Sequence, residues 1–123
     1  MKYNLAPICL FTFNRLDETQ KTVLALQKNN LAHESQLFIF SDGWKYDKDK
    51  EEIEEVRAFL KTIIGFKKIT IFKSEINKGL ANSIITGVTK IINKFGKVIV
   101  LEDDLITSPN FLDFMNQALY YYE

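Results

Sequence analysis

The feature that most constrains the fold of this chain is a set of four short apolar runs that alternate with longer amphipathic segments. The runs cover residues 8–13, 36–41, 68–73 and 98–101 and are nearly continuous in Ile, Val, Leu and Phe. Strands that are covered on both faces of a parallel sheet have this composition. The sequence therefore predicts four buried strands.

The segments that separate and follow these runs predict helices. Apolar residues recur at helical spacing over residues 17–29, 48–64, 80–93 and 110–122. Strand and helix thus alternate, and the right-handed crossover rule then gives a parallel sheet between layers of helices. We predict an α/β fold of the three-layer αβα Rossmann-like kind, around a mainly parallel sheet of about four strands.

Composition limits the classes of function. The 123 residues suit one domain, which we expect to cover residues 1–123, since domains commonly have roughly 100–150 residues. Sixteen basic residues balance sixteen acidic ones, so we expect no nucleic-acid partner. No apolar stretch approaches the roughly 18 residues of a membrane span. The lone Cys9 cannot form an internal disulfide, and we expect a cytoplasmic protein.

Ligands of such sheets bind at the carboxyl ends of the strands, and four loops follow the predicted strands. The sharpest signal is the acidic triplet Glu102, Asp103 and Asp104, directly after residues 98–101. Adjacent carboxylates repel one another, and a hard divalent cation such as Mg²⁺ or Mn²⁺ relieves the repulsion. An acidic cluster that simply faces solvent before the last helix is the alternative.

The other three loops carry weaker signals. Asp42 precedes Gly43 and could accept hydrogen bonds from a base or a ribose, or could belong to a plain turn. Asn77, Lys78 and Gly79 could line a ligand or could only lead into the third helix. Arg15 follows the first strand and suits a phosphate, although a solvated charge at a helix start fits equally.

Together these motifs resemble the glycosyltransferases of the GT-A fold. The resemblance rests on Thr12-x-Asn14-Arg15, Ser41-Asp42-Gly43, Asn77-x-Gly79 and the segment VIVLEDDL at residues 98–105. It extends over the whole chain, and family-two enzymes and the N-acetylglucosaminyltransferase I group are the most similar. In the latter an acidic cluster is likewise followed by Leu, then by Pro and an aromatic helix start, as at residues 108–112 here.

The resemblance implies a metal-assisted, inverting transfer of a sugar from a nucleoside diphosphate, with UDP expected, to an acceptor hydroxyl. Asp104 would bind a Mn²⁺ or Mg²⁺ ion that bridges the two phosphates, and Asp103 would contact the ribose or the sugar. Glu102 would face the sugar or support its neighbours. Asp42 would contact uracil or ribose. The remaining donor-binding positions would be Thr12, Asn14, Arg15, Asn77, Lys78 and Gly79.

The family's catalytic domains continue well beyond the metal motif, and that later portion supplies the acceptor site and the general base. We therefore expect this chain to be the N-terminal, nucleotide-sugar-binding portion of a longer enzyme, with little activity of its own and a base beyond Glu123. The acceptor would be a glycan or a lipid-linked molecule, as in polysaccharide biosynthesis. Apolar surface near the chain end predicts self-association as a homo-oligomer.

Two other classes of protein stay open from the sequence alone. A phosphoacceptor signalling domain has a similar length and acidic strand ends, but it would need an acidic pair where this chain has Asn14 and Arg15. A non-catalytic nucleotide-binding or interaction module would share the fold without the chemistry.

Overall fold

The structure, a computed structural model, describes residues 4–122 and contains one four-stranded sheet with helices on both faces. The strands are β1 (Ile8–Thr12), β2 (Gln36–Ser41), β3 (Lys68–Lys73) and β4 (Ile99–Glu102). The helices are α1 (Leu16–Gln27), α2 (Lys50–Leu60), α3 (Leu80–Phe95) and α4 (Phe111–Tyr122). The predicted domain also includes residues 1–3 and Glu123, which lie outside the described part of the chain.

All neighbouring strands are parallel, and their order in the sheet is β3-β2-β1-β4. The prediction of an α/β fold with a four-stranded parallel sheet is therefore confirmed. The chain first moves outward from β1 to β3 and then returns to place β4 on the other side of β1. In open α/β sheets, ligands bind at the carboxyl ends of the strands near such a reversal of order.

Three helices cover one face of the sheet and one helix covers the other. The first face buries side chains of β1, β2 and β4 against α1, α2 and α4: Ile8, Leu10, Leu37, Ile39, Ile99, Leu101, Val23, Leu26, Val56, Leu60 and Leu112. The second face packs Cys9, Phe11 and Phe38 against α3. Successive strand residues alternate between the two faces, as the pleat requires. The result is three layers with the core on both sides of the sheet.

Stacked phenylalanines align the three strands on the α3 face. The rings of Phe11 and Phe40 have centroids 4.9 Å apart, and those of Phe40 and Phe72 are 5.0 Å apart. Such cross-strand aromatic contacts stabilise one register of β1, β2 and β3. The register fixes which residues emerge together at the carboxyl edge of the sheet.

Two buried asparagines hold α4 under the loop that follows β4. Asn116 Oδ1 accepts a hydrogen bond from the Ala6 N–H at 2.7 Å, and its amide donates to the Leu112 carbonyl at 2.8 Å. Asn29 Oδ1 accepts from the Leu112 N–H at 2.8 Å. These contacts tie the start of α4 to the segment just after α1, and the middle of α4 to the chain just before β1.

Apolar side chains remain exposed on an edge strand and on two helices. β4 is an edge strand, and its Val100 is 39% exposed. Ile85 and Ile92 of α3 and Phe114 of α4 are also exposed. Tyr120, Tyr121 and Tyr122 at the end of α4 are exposed as well, and self-association through this apolar surface near the chain end stays a prediction. No helix within residues 4–122 is long and apolar enough to cross a membrane.

Candidate functional site

A cleft of about 370 Å³ lies at the carboxyl edge of the sheet, where the sequence predicted the ligand site. Eight of the nine residues predicted to bind the donor line it: Thr12, Asn14, Arg15, Asp42, Asn77, Gly79, Glu102 and Asp103. The other lining residues are Phe11, Phe13, Phe40, Lys45, Tyr46, Asp49, Leu80 and Ser83. The parallel strands thus bring the four predicted loops to one cavity.

Two predicted residues lie outside this lining. The Lys78 side chain is exposed and borders a neighbouring cavity of about 250 Å³ that shares Phe40, Asp42 and Ser83 with the cleft. Asp104 has a half-exposed side chain, and its Oδ2 lies 3.6 Å from Arg15 Nη2. Asp104 is therefore at the rim of the cleft, within reach of the same guanidinium that lines it.

Two consecutive residues after β1 hold carboxylates on opposite sides of the cleft. Arg15 Nη2 donates to Asp103 Oδ1 at 2.7 Å, and Asn14 Nδ2 donates to Asp49 Oδ1 at 3.2 Å. The hydrogen bond to Asp103, followed by its negative charge, raises the pKa of Arg15 above its usual value. The guanidinium is therefore a permanent cation in the cleft.

The acidic turn, residues 102–104, does not bring its three carboxylates together as one group of metal ligands. Asp103 is only 5% exposed and binds Arg15, and its main-chain carbonyl accepts from Thr22 Oγ1 at 2.9 Å. Glu102 lies at the end of β4 and lines the cleft, while Asp104 is at the rim. Across residues 4–122, no three His, Cys, Asp or Glu side chains form a group that could hold a metal ion. A metal site here would therefore depend on few protein ligands.

Asp42 directs its carboxylate to the protein. Its Oδ1 accepts from the N–H groups of Gly43 at 2.8 Å and Lys78 at 2.9 Å. Its Oδ2 accepts from the Gly79 N–H at 3.1 Å and from Asn77 Nδ2 at 3.3 Å. A carboxylate has about four lone-pair sites, and these four bonds use them all. In this structure Asp42 holds the loop at residues 77–79, and its predicted contact with a nucleotide stays a prediction.

Arg57 of α2 supports the same region and was missed by the sequence analysis. Its Nε donates to Ser41 Oγ at 2.8 Å, and its Nη2 contacts the carbonyls of Asp42 at 3.1 Å and Ser74 at 2.9 Å. Burial lowers the pKa of Arg57, although nearby Asp42 and Glu54 oppose the change. In the sequence Arg57 looks like one more solvated charge of an amphipathic helix, so no local signal marks it.

Asp49 is a second residue that the sequence analysis missed. It lies in the 3-10 turn Asp47–Asp49, lines the cleft and is only 7% exposed. Its one side-chain partner among the described residues is Asn14. The run of charged residues from 45 to 52 hides it, because all of these look solvent-facing. The one available signal is an acidic residue directly before a helix, where such residues often cap the first turn.

The charges that line the cleft are unequal in number. Four carboxylates, Asp42, Asp49, Glu102 and Asp103, face two cationic side chains, Arg15 and Lys45. An anionic ligand would meet net repulsion unless a cation entered with it. The cleft can therefore accept a cation, or an anion together with a cation.

Comparison of the chain with protein-family models and with curated proteins found no match.

Proposed function

We propose that this chain is the donor-binding portion of a GT-A-type glycosyltransferase. It binds a nucleoside diphosphate sugar, with UDP as the expected nucleotide, together with Mn²⁺ or Mg²⁺. The observation that carries the proposal is the convergence of Arg15, Asp103 and Glu102 in one cleft at the carboxyl edge of a parallel sheet. Carboxylates and a guanidinium side by side suit a ligand that is itself an anion paired with a metal ion.

The charge balance supports a metal-bound anion over a free one. A diphosphate alone would face more carboxylates than cations in this cleft. Mg²⁺ and Mn²⁺ commonly use one or two protein carboxylates and complete their shells with water and phosphate oxygens. The half-exposed Asp104 suits this role because it needs no loss of a buried contact to reach a cation. The carboxylate oxygens of Asp104 are ligands of the kind that Mg²⁺ and Mn²⁺ prefer.

Each proposed role follows from a contact of the described residues. Arg15 reaches both Asp103 and Asp104, so it can hold the acidic turn and donate to a phosphate with its remaining N–H groups. A bound divalent cation stabilises the negative charge that develops on the departing diphosphate. Asn77 and Gly79 form the opposite wall, where Asp42 fixes their main chain. Phe13 and Tyr46 supply aromatic surface.

The reaction we propose is transfer of the sugar to an acceptor hydroxyl with inversion at the anomeric carbon. The acceptor is a glycan or a lipid-linked molecule, and the reaction takes place in the cytoplasm. The proposal assigns no general base among residues 4–122. The described residues are therefore expected to bind donor without efficient transfer.

Calorimetric titration with UDP in the presence of Mn²⁺ tests the proposal. We expect saturable binding that disappears when EDTA removes the metal. The double variant Asp103→Asn, Asp104→Asn should weaken binding at least about tenfold, because both carboxylates of the acidic turn lose their charge. Binding of UDP that is unchanged in this variant would disprove the assigned site.

A matched control removes two charges elsewhere. Glu51 and Glu52 are exposed in the first turn of α2, and neither lines the cleft. The variant Glu51→Gln, Glu52→Gln changes the net charge by the same amount. We expect it to bind UDP and Mn²⁺ as the wild type does, so an equal loss in both double variants would point to a general charge effect.

A further inference from the structure

The cleft has two ends that differ in chemistry. Asp103, after β4, lies on one side of β1, and Asp49, in the turn that leads from β2 into α2, lies on the other. Arg15 binds the first carboxylate and Asn14 binds the second. Two inter-strand spacings, about 10 Å, separate the ends of β2 and β4. One end thus carries a guanidinium, and the other carries a neutral amide together with Lys45, whose Nζ lies 5.5 Å from the centre of the Tyr46 ring.

The Arg15 end suits phosphates, and the aromatic ring at the Asp49 end suits the nucleoside. Arg15 is the strong phosphate donor of the cleft, and it lies beside the acidic turn. The Asp49 end is lined by Tyr46, three residues earlier in the chain, and Asn14 contributes an uncharged amide. A base stacks favourably on aromatic rings and does not require a cation.

Asp49 keeps an acceptor available to a ligand. Among the described residues its carboxylate receives one hydrogen bond, from Asn14 to Oδ1 at 3.2 Å. No buried side-chain oxygen of residues 4–122 lacks a hydrogen-bond partner, so the second oxygen of Asp49 is not sealed inside the protein. Since the residue is 93% buried and lines the cleft, we infer that a ligand in the cleft can reach that oxygen.

Asp42 cannot serve as this acceptor without breaking its present bonds. Four donors of the protein already occupy its two oxygens, and three of the donors are main-chain N–H groups. Releasing the Gly43 N–H would leave a buried donor unpaired, which is unfavourable. Asp49 needs no such release.

We propose that Asp49, and not Asp42, is the carboxylate that selects the base of the bound nucleotide. The inference rests on the proposed function. A carboxylate accepts hydrogen bonds only, so it favours a base with a ring N–H at its pairing edge, as in uracil or guanine. Adenine and cytosine place a lone pair at the equivalent ring nitrogen, which the carboxylate repels. Asp49 therefore determines specificity, while Asp42 positions the loop at residues 77–79.

Titration of UDP, GDP, CDP and ADP, each with Mn²⁺, tests the inference. We expect the wild type to bind UDP or GDP at least about tenfold more tightly than CDP and ADP, and the first two titrations distinguish the two ring N–H bases. Asp49→Asn replaces the charge with an amide of the same size. It should lower affinity for the preferred nucleotide roughly 10- to 100-fold and remove most of the preference.

Two comparisons separate specificity from stability. Asp47→Asn makes the same change two residues earlier, at an exposed position in the same turn, and should leave affinity and preference unchanged. The ratio of two nucleotide affinities within one variant is insensitive to the fraction of folded protein. Thermal unfolding of Asp49→Asn in the absence of nucleotide checks that the fold remains.

Three results would overturn the inference. If Asp49→Asn keeps the wild-type preference, another group reads the base. If the wild type prefers ADP or CDP, the carboxylate does not face the pairing edge. If none of the four nucleotides binds the wild type with Mn²⁺, the proposed function falls and the inference falls with it, whereas the first two results leave the proposed function standing.

Discussion

The turn after β2 and the turn after β4 share a sequence signal but use their carboxylates differently. In the β2 turn, residues 41–43, Asp42 accepts four hydrogen bonds from the protein. In the acidic turn, residues 102–104, Asp103 has one side-chain partner, Arg15, and Asp104 stays half exposed. An aspartate at the end of an apolar strand therefore indicates a position at the ligand edge, and its partners decide whether it serves structure or binding.

The largest effect is expected from Gly43 of the β2 turn. A Cβ at this position would lie 2.7 Å from both the main-chain carbon and oxygen of Ile76 and 3.0 Å from the Ser74 carbonyl. Main-chain atoms cannot move aside as a flexible side chain can. We expect Gly43→Ala to lower the free energy of unfolding by about 3 kcal/mol, measured by urea denaturation.

Gly65→Ala is the matched control for this variant. Gly65 has a positive φ of 96°, but a Cβ there would meet only Gln27 Cγ at 3.8 Å. The cost is then the left-handed conformation alone, about 1 kcal/mol. If Gly43→Ala lowered the free energy of unfolding no more than Gly65→Ala, the main chain around Ile76 and Ser74 could shift to accommodate a Cβ.

Substitution of Asp42 and of Asp104 compares the two turns directly. Asp42→Asn removes the charge that three main-chain N–H groups share, and we expect a loss of about 2 kcal/mol in unfolding free energy. Asp104→Asn should change stability by no more than about 0.5 kcal/mol, since this side chain is half exposed and its ion pair is long. Its effect should instead be on binding of UDP with Mn²⁺. Equal losses of stability in the two variants would contradict the contrast.

A smaller effect than that of Asp42→Asn concerns Cys9 on β1, which pairs with residues of both β2 and β4. Burial raises the pKa of its thiol from 9.0 to about 12. The folded state favours the protonated thiol, so this stabilisation is complete below about pH 9 and is lost as pH rises from about 9 to 12. At pH 10 we expect a loss of about 1 kcal/mol relative to pH 8, which Cys9→Ala should not show in denaturant titrations.

Alkylation of the same thiol measures whether the sheet between the two turns stays closed. At pH 8 it should resist alkylation in the folded wild type and in Asp104→Asn, because it is fully buried. Rapid alkylation of Asp104→Asn would mean that the acidic turn also supports the sheet, and the distinction between the two turns would then weaken.

Much of the fold was predictable because each strand is a short, nearly continuous run of apolar residues. The predicted bounds of β2 and β3 agree with the structure, and β4 is displaced by one residue, to Ile99–Glu102. The start of α2 was wrong: the structure has a 3-10 turn at Asp47–Asp49 and begins the helix at Lys50. Apolar periodicity does not distinguish a 3-10 turn from a first helical turn in a charged segment.

The position of the candidate site was predictable from the sequence, but the roles of its residues were less so. Parallel topology alone brings the predicted loops to one edge, which is why eight of nine predicted donor-binding residues line the cleft. The saturation of Asp42 depends on main-chain groups at residues 78 and 79, far along the chain, and no local pattern encodes it. Asp49 differs from the charged residues around it in its hydrogen bond with Asn14. Asn14 lies 35 residues earlier in the sequence, so no local pattern shows this contact.

The hydrogen bond between Ala6 and Asn116 spans 110 residues of chain. During synthesis the segment before β1 is made 110 residues ahead of its partner in α4. Both edges of β1 can be paired only after β4, which begins at Ile99, has been made. Contacts of such long sequence separation form slowly, because a large loop must close first. Until then the nascent chain offers the open edge of its central strand to other molecules, which makes early emergence the period of greatest exposure to chaperones and to aggregation.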